Sequence, residues 1–126
     1  KIGGCPTGSA VITTGGNLKA NSVIHTVGPI YRDGNSGEGG LLASAYRKSL
    51  EIAVKNGIRS ISFPSISTGA YGYPIKEAAK IALKTVVEFI TDQGKPELVR
   101  FVLFSDRDLR VYEEALRDLM RIKGVT

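Results

Sequence analysis

Apolar residues recur along this chain in two periods, as short β-branched runs and as longer stretches with helical spacing. From Ser22 onward the two kinds alternate, which is typical of β-α units and a largely parallel sheet. A turn at Gly15-Gly16-Asn17 is expected to separate the first two strands. The pattern therefore predicts the α/β class, with strands at 9–13, 22–27, 60–64 and 98–104. The last run is almost continuously apolar, as in a strand buried on both faces.

Three amphipathic helices are predicted between and after these strands. The first follows a polar, glycine-rich surface loop at 34–40 and ends at Asn56-Gly57. The second begins at Pro74 and stops at Gly94. The third follows Ser105 and Asp108, which form a variant of the capping box. The apolar stripes of the three helices are Leu41, Leu42, Ala45, Ser49, Ile52 and Ala53; Ile75, Ala78, Ala79, Ala82, Val86, Phe89 and Ile90; and Tyr112, Ala115, Leu116, Leu119 and Met120.

Length and composition limit the class of protein. The 126 residues fit one domain, 1–126, and 42% hydrophobic with 23% charged residues excludes a disordered chain. No apolar run approaches the roughly 18 residues of a membrane helix, and the first residues lack the apolar core of a signal peptide. We therefore expect a cytoplasmic protein that does not associate with membranes.

The single cysteine, the single histidine and the net charge limit the metals and binding partners that the sequence favours. One cysteine and one histidine are too few for a disulfide or a structural zinc site, so we predict no metal and no cofactor. His25 lies in an apolar strand run and is interpreted as a hydrogen-bonded sheet residue rather than a catalytic base. Cys5 has no activating neighbour in the sequence and is interpreted as structural. The net charge of +5 favours anionic partners, although it also serves solubility.

The segment Phe63–Pro74 carries the clearest chemical signal. It leaves the carboxyl end of a strand and enters a helix N-terminus, where open α/β sheets bind ligands. Small residues let several backbone amides converge, and the helix adds partial positive charge, so a phosphate is the natural guest. The alternative is a tight connection whose glycines serve geometry alone. Tyr71 and Phe104 lie at strand ends where a base or ribose would rest, although aromatic residues there also pack in cores.

Other nucleotide and hydrolase motifs fail on individual residues. A dinucleotide-binding Gly-x-Gly-x-x-Gly motif does not occur, and the Gly3–Gly8 spacing of a P-loop is followed by Ser9 instead of lysine. The segment Ser65–Gly69 falls one residue short of a nucleophile elbow. The histidine of that triad must follow the nucleophile, whereas His25 precedes it.

Three motifs together resemble the macro domain family, in this order and at this spacing. They are Gly4-Cys5-Pro6-Thr7-Gly8-Ser9-Ala10, Val23-Ile24-His25-Thr26-Val27-Gly28-Pro29, and the segment from Ser62 to Pro74. The likeness extends to 101–106, which resembles the family's last strand and the following turn. It implies a three-layer α/β/α fold with a mixed sheet that binds ADP-ribose at its carboxyl edge.

The resemblance also implies roles for individual residues. The backbone of 67–72 would hold the diphosphate, with Tyr71 near the distal ribose. Phe104 would pack against adenine, with Ser105 and Asp106 beside it. The expected ligand-binding residues are therefore Ser67, Thr68, Gly69, Ala70, Tyr71, Gly72, Phe104 and Ser105.

Two functions follow from this resemblance. The first is recognition of ADP-ribose or ADP-ribosylated proteins, and the alternative is a hydrolase that removes ADP-ribose from acidic side chains or deacetylates O-acetyl-ADP-ribose. The chain begins just before the family's Cys-Pro-Thr-Gly motif, so we expect the fold to be incomplete at the N-terminus and the family's catalytic loop to be absent from these residues. No catalytic residue is assigned. Nucleic acid, which also presents phosphates and adenines, is a third and weaker candidate partner.

Overall fold

The computed structural model describes residues 5–14 and 22–124. Its strands and helices alternate as the hydrophobic pattern predicts, which confirms the α/β class. The predicted turn at 15–17 lies outside the described residues. The elements in chain order are β1 (Ala10–Thr14), β2 (Ser22–Thr26), α1 (Glu38–Lys55), β3 (Ser60–Phe63), α2 (Ile75–Gln93), β4 (Leu98–Phe101) and α3 (Asp106–Ile122).

The described strands form two sheets of two strands each. β1 and β2 are antiparallel, with Ile12 opposite Ile24. β3 and β4 are parallel, with Phe63 opposite Phe101. Both kinds of pairing expected for a mixed sheet are therefore present, one in each sheet.

The core lies where the three helices meet β3 and β4, and α2 packs against both α1 and α3. The predicted stripes supply most of it, because residues at i, i+3 and i+4 share one face of a helix. The buried apolar residues of the helices are Leu42, Ala45, Tyr46, Leu50 and Ala53 of α1; Ala78, Ala79, Ala82, Leu83 and Val86 of α2; and Tyr112 and Ala115 of α3.

The helix ends follow the predicted signals. Gly57 and Gly94, at the ends of α1 and α2, adopt left-handed backbone with φ of 68° and 69°. A residue with a Cβ rarely adopts this conformation, so glycine suits both positions. At the start of α3, the Asp108 amide donates to Ser105 Oγ at 3.2 Å, which confirms the predicted cap.

The prediction of a doubly buried strand over 98–104 is wrong. β4 ends at Phe101, and only alternate residues such as Val99 and Phe101 pack towards the core. Val102 is 64% exposed. Leu98 and Arg100, which alternate with them, point to the other face of the strand and are exposed, so only one face of β4 is covered.

The described helices were compared with the length and hydropathy of membrane-spanning helices. None of the helices in 22–124 combines the length and the apolar character needed to cross a bilayer.

Candidate functional site

The site is built around the loop 65–73, which connects β3 to α2. Its start is fixed by Tyr46 of α1, whose side chain is completely buried. The Ile66 amide donates to the Tyr46 hydroxyl at 3.0 Å, and this hydroxyl in turn donates to the Pro64 carbonyl at 3.3 Å. One phenol therefore satisfies backbone groups on both sides of Ser65.

A second tyrosine reaches the same point from α3. The hydroxyls of Tyr112 and Ser65 lie 2.6 Å apart, and Thr68 Oγ1 donates to the Ser65 carbonyl at 3.0 Å. Tyr112 is itself fixed by packing, because its ring centroid lies 5.1 Å from that of Phe101. Two helices distant in sequence thus hold the first residues of the loop.

The rest of the loop closes on itself. The Tyr73 amide donates to the Ser67 carbonyl at 2.8 Å, and the Gly72 amide donates to the Gly69 carbonyl at 3.0 Å. Ser67 has a φ of 68°, a left-handed conformation that is uncommon for a residue with a side chain. Such strained residues concentrate at ligand sites, where the surrounding structure holds them in place.

Three consecutive amides at the tip of the loop take no part in these bonds. Among the residues that the structure describes, none accepts a hydrogen bond from the amides of Gly69, Ala70 or Tyr71. The start of α2 lies immediately beyond the loop, and no side chain of the described residues caps it. Free amides and an uncapped helix N-terminus together favour an anion.

A large open cleft adjoins the loop. Its volume is about 1190 Å³, and it is lined by 22–28, 56–67 and 69–71 together with Ser49. None of these lining residues carries a carboxylate. The basic residues of the lining are His25 and Arg59, and Arg59 is paired with Glu97 at 2.9 Å. The cleft lies between β2 and β3, so both sheets contribute to it. Its chemistry suits a negatively charged ligand.

Gly28 provides the closest approach between the two sides of the site. A Cβ placed on this buried glycine would lie under 3.0 Å from both Ser67 Oγ and Ile66 Cγ2. Ser67 Oγ is buried and has no hydrogen-bond partner among the described residues. Only glycine at position 28, which has no Cβ, allows the loop to pack this closely against the residues that follow β2.

The predicted ligand residues separate into three groups. Ser67, Gly69, Ala70 and Tyr71 line the cleft, whereas Thr68 and Gly72 take part in the turns of the loop. Phe104 and Ser105 do not line it. The Phe104 ring is fully exposed, and Ser105 serves as the cap of α3.

His25 and Cys5 lie on the β1 and β2 side. His25 is exposed, and its Nε2 lies 2.9 Å from Thr13 Oγ1 on the neighbouring strand. This confirms the prediction of a hydrogen-bonded sheet histidine. Cys5 Sγ lies 3.8 Å from the His25 carbonyl.

Glu38 is a structural residue that the sequence pattern missed. The segment around it was predicted to be a surface loop, yet Glu38 is only 2% exposed in the first turn of α1. Its carboxylate accepts hydrogen bonds at 2.7–3.1 Å from the amides of Arg32, Asp33, Gly34 and Ser36. Hydrogen bonds from the amides of Arg32, Asp33 and Gly34, and from that of Glu38 itself, lower the pKa of Glu38 from 4.5 to about 2.

The segment that Glu38 holds also supports the site. The Tyr31 amide, next to Arg32, donates to the Tyr71 carbonyl at 2.9 Å. The Tyr31 and Tyr73 rings lie 4.8 Å apart. The far end of the loop therefore depends on the segment that Glu38 organises.

We predict that Glu38→Gln lowers the stability of the fold at neutral pH and reduces its acid sensitivity. A lowered carboxyl pKa contributes stability above pH 4.5 that is lost as the pH falls towards 2. The urea midpoints of parent and variant should therefore converge across this window. Glu51→Gln, an exposed change on the same helix, is the control and should follow the parent. A constant gap between Glu38→Gln and the parent from pH 6 to pH 2 would contradict the assigned role.

Comparison with known proteins gives one consistent result. Residues 1–82 match the family model described as Macro domain. The chain is 57% identical over 119 residues to a macro domain-containing protein of Caldanaerobacter subterraneus subsp. tengcongensis, covering 94% of this chain and 67% of that protein. It is 54% identical over 114 residues to an O-acetyl-ADP-ribose deacetylase of Escherichia fergusonii, covering 90% of this chain and 64% of the relative.

A solved structure of a macrodomain is also similar to this chain. The Oceanobacillus iheyensis macrodomain with ADP superposes with a TM-score of 0.88 at 48% identity, covering 92% of this chain and 60% of that one. The chain thus spans about two thirds of the length of the two curated relatives and about three fifths of the solved chain.

Proposed function

The chain belongs to the macro domain family, and from that premise we propose that it binds ADP-ribose, free or attached to a protein, in the cleft beside the loop 65–73. The observation that carries the proposal is the set of amides at Gly69, Ala70 and Tyr71, which have no acceptor among the described residues and belong to the cleft lining. ADP-ribose carries a diphosphate, whose oxygens are strong acceptors for such amides.

The electrostatics of the cleft support the same ligand. A diphosphate brings negative charge, and the described lining presents no carboxylate that would repel it. Arg59 of the lining is already paired with Glu97, so the charge of the loop end of the site comes from backbone amides. The uncapped N-terminus of α2 adds partial positive charge at the end of the loop. Ser67 contributes through its backbone in this proposal, because its hydroxyl is buried against Gly28.

We place the adenine on Phe104, which does not line the cleft, so in this proposal the ligand extends beyond it. Its ring is fully exposed at the point where the chain leaves β4, and it is free to stack on a base. Stacking of a base on an aromatic side chain contributes about 1 to 3 kcal/mol. Two amide bonds to charged oxygens at about 1.5 to 3 kcal/mol each, together with this stack, sum to about 4 to 9 kcal/mol before the cost of association. Further contacts are therefore needed for the roughly 8 kcal/mol of a micromolar complex.

We predict that Phe104→Ala weakens ADP-ribose binding by about tenfold through loss of the stack. The fold should be unaffected, because the ring is fully exposed. Isothermal titration provides the measurement. The control is Val102→Ala, which removes another exposed apolar side chain from the same segment. Equal affinities for Phe104→Ala and the parent would place the adenine elsewhere.

The decisive experiment for the proposal is titration of the folded chain with ADP-ribose, with circular dichroism confirming the fold. We expect saturable binding with one site. A folded chain that releases no heat and shows no shift in melting temperature with ADP-ribose would refute the proposal. Nucleic acid binding through the basic surface would instead appear as RNA affinity that falls steeply with salt.

Deacetylation of O-acetyl-ADP-ribose is the second candidate function, favoured by the name of the relative from Escherichia fergusonii. In this reaction water attacks the acetyl carbonyl and the ribose oxygen leaves, so acetate and ADP-ribose form. The described cleft lining offers no carboxylate as a general base. Acetate release above the uncatalysed rate by this chain would support the activity, and binding without release would favour recognition.

A further inference from the structure

The hydrogen bond between Tyr112 and Ser65 is a partly buried contact that the proposed binding does not use directly. Ser65 lines the cleft, whereas Tyr112 belongs to α3 and does not. The two residues are 47 positions apart in the chain. The contact is therefore a long-range link between the C-terminal helix and the first residue of the loop.

The partners of Tyr112 are fixed before a ligand arrives. Its ring is 4% exposed and packs on Phe101, which belongs to the same aromatic cluster as Phe63 and Tyr46. Burial raises the pKa values of the Tyr112 and Tyr46 hydroxyls above the ordinary tyrosine range. Both hydroxyls therefore stay protonated at neutral pH and can donate hydrogen bonds.

The contact bears on backbone geometry as well as on a side chain. Ser65 also accepts a hydrogen bond from Thr68 through its carbonyl, and its neighbours Pro64 and Ile66 are bound by Tyr46. Rotation of Ser65 would therefore move the turn that precedes Gly69. Tyr112 supplies the constraint on the Ser65 side chain, since the other bonds hold only the backbone around it.

We propose that Tyr112 is a positioning residue for ligand binding: through Ser65 it sets the conformation of the loop 65–73 in which the amides of Gly69 and Ala70 receive a diphosphate. This inference rests on the proposed function, because that function supplies the ligand. The effect of Tyr112 on the loop can be measured without the ligand. It assigns to the last helix, which contributes no residue to the cleft, a share of the affinity.

The test compares ADP-ribose dissociation constants for Tyr112→Phe, Ser65→Ala and the double variant. Phenylalanine keeps the packing on Phe101 and removes only the hydroxyl. We expect each single variant to weaken binding about fivefold, the equivalent of one hydrogen bond. The double variant should be no weaker than either single one, because both changes break the same link.

Ser44→Ala is the matched control. It removes a serine hydroxyl that donates to the Gly8 carbonyl at 2.7 Å, a bond of similar geometry that does not involve the loop. It should lower stability to a similar degree and leave the affinity for ADP-ribose within twofold of the parent. A purely structural role for Tyr112 would make Tyr112→Phe behave like this control.

The amide signals of Gly69 and Ala70 in ¹H–¹⁵N spectra of the ligand-free protein provide the second readout. We expect them to shift in Tyr112→Phe and Ser65→Ala, and to stay in place in Ser44→Ala. Affinities of both variants within twofold of the parent, multiplicative losses in the double variant, or unmoved signals would each overturn the inference. If the parent does not bind ADP-ribose, the proposed function fails, and the spectra alone decide the inference. If Tyr112→Phe does not fold, Ser65→Ala carries the test.

Discussion

Replacing Gly28 with alanine is expected to destabilise the protein by about 3 kcal/mol, the upper end of the usual cost of overpacking a core. The new Cβ would overlap Ser67 Oγ and Ile66 Cγ2, both under 3.0 Å away. Neither neighbour moves freely. The Ile66 amide is bound to Tyr46, and Ser67 is held at a φ of 68°. The loop must therefore shift as a unit, and ADP-ribose affinity should fall with stability.

Two further variants sharpen this test. Gly40→Ala adds a Cβ to an exposed position of α1 with no atom within 4 Å, so it should stabilise the protein by up to about 1 kcal/mol through helix propensity. Adding Ser67→Gly to Gly28→Ala removes one of the two overlaps and suits the positive φ, so it should recover part of the loss. Urea unfolding measures all three. A Gly28→Ala protein as stable as the parent would mean that the loop does not sit against β2.

Replacing Gly69 with valine is expected to abolish ADP-ribose binding while leaving the fold intact. A Cβ at Gly69 meets no atom within 4 Å, so the change introduces no internal clash. The same open space is the volume that the diphosphate would occupy in the proposed complex. Loss of two amide bonds to a charged group corresponds to at least about 3 kcal/mol, or roughly a hundredfold in the dissociation constant.

A graded series separates steric exclusion from other causes. Gly69→Ala should weaken binding less than Gly69→Val, because a single methyl group fills less of the space. Melting temperatures of both variants should match the parent. If folded Gly69→Val protein binds ADP-ribose within threefold of the parent, the diphosphate does not lie over this residue.

The helices were predictable from sequence because burial of one face determines them. The stripes of α1, α2 and α3 supply the buried core, and the glycines at the ends of α1 and α2 take the left-handed backbone that their positions indicate. These features depend on local periodicity and local backbone conformation. Both are visible in a single sequence.

β4 and Glu38 were not predictable for a different reason. Burial of β4 depends on which strands and layers cover it, and the run Leu98–Phe104 carries no information about its neighbours. Glu38 lies in a polar, glycine-rich stretch that is typical of an exposed loop. Its burial arises because four amides of the preceding segment turn onto one carboxylate. A single acidic residue just before an apolar stripe was the only local signal.

The position of the candidate loop follows from the sequence, whereas the ligand-binding roles of its residues stay a prediction. The loop was found from the strand-to-helix transition and its small residues, and Ser67, Gly69, Ala70 and Tyr71 do line the cleft. Its supports were missed. Tyr112 was identified only as part of an apolar stripe, and Tyr46 was not identified at all, because a hydroxyl at the end of a buried ring leaves no trace in hydrophobic periodicity.

The supports of the loop determine when the site forms as the chain folds. They come from Gly28, Tyr46 and Tyr112, and the bonds from the two tyrosines span 20 and 47 residues. Contacts between residues so far apart in sequence require the intervening chain to be closed into loops first, which delays their formation. The ability to bind ligand should therefore appear late in refolding, after the helices have formed. Recovery of ligand binding will then indicate that the long-range contacts of the native fold are in place.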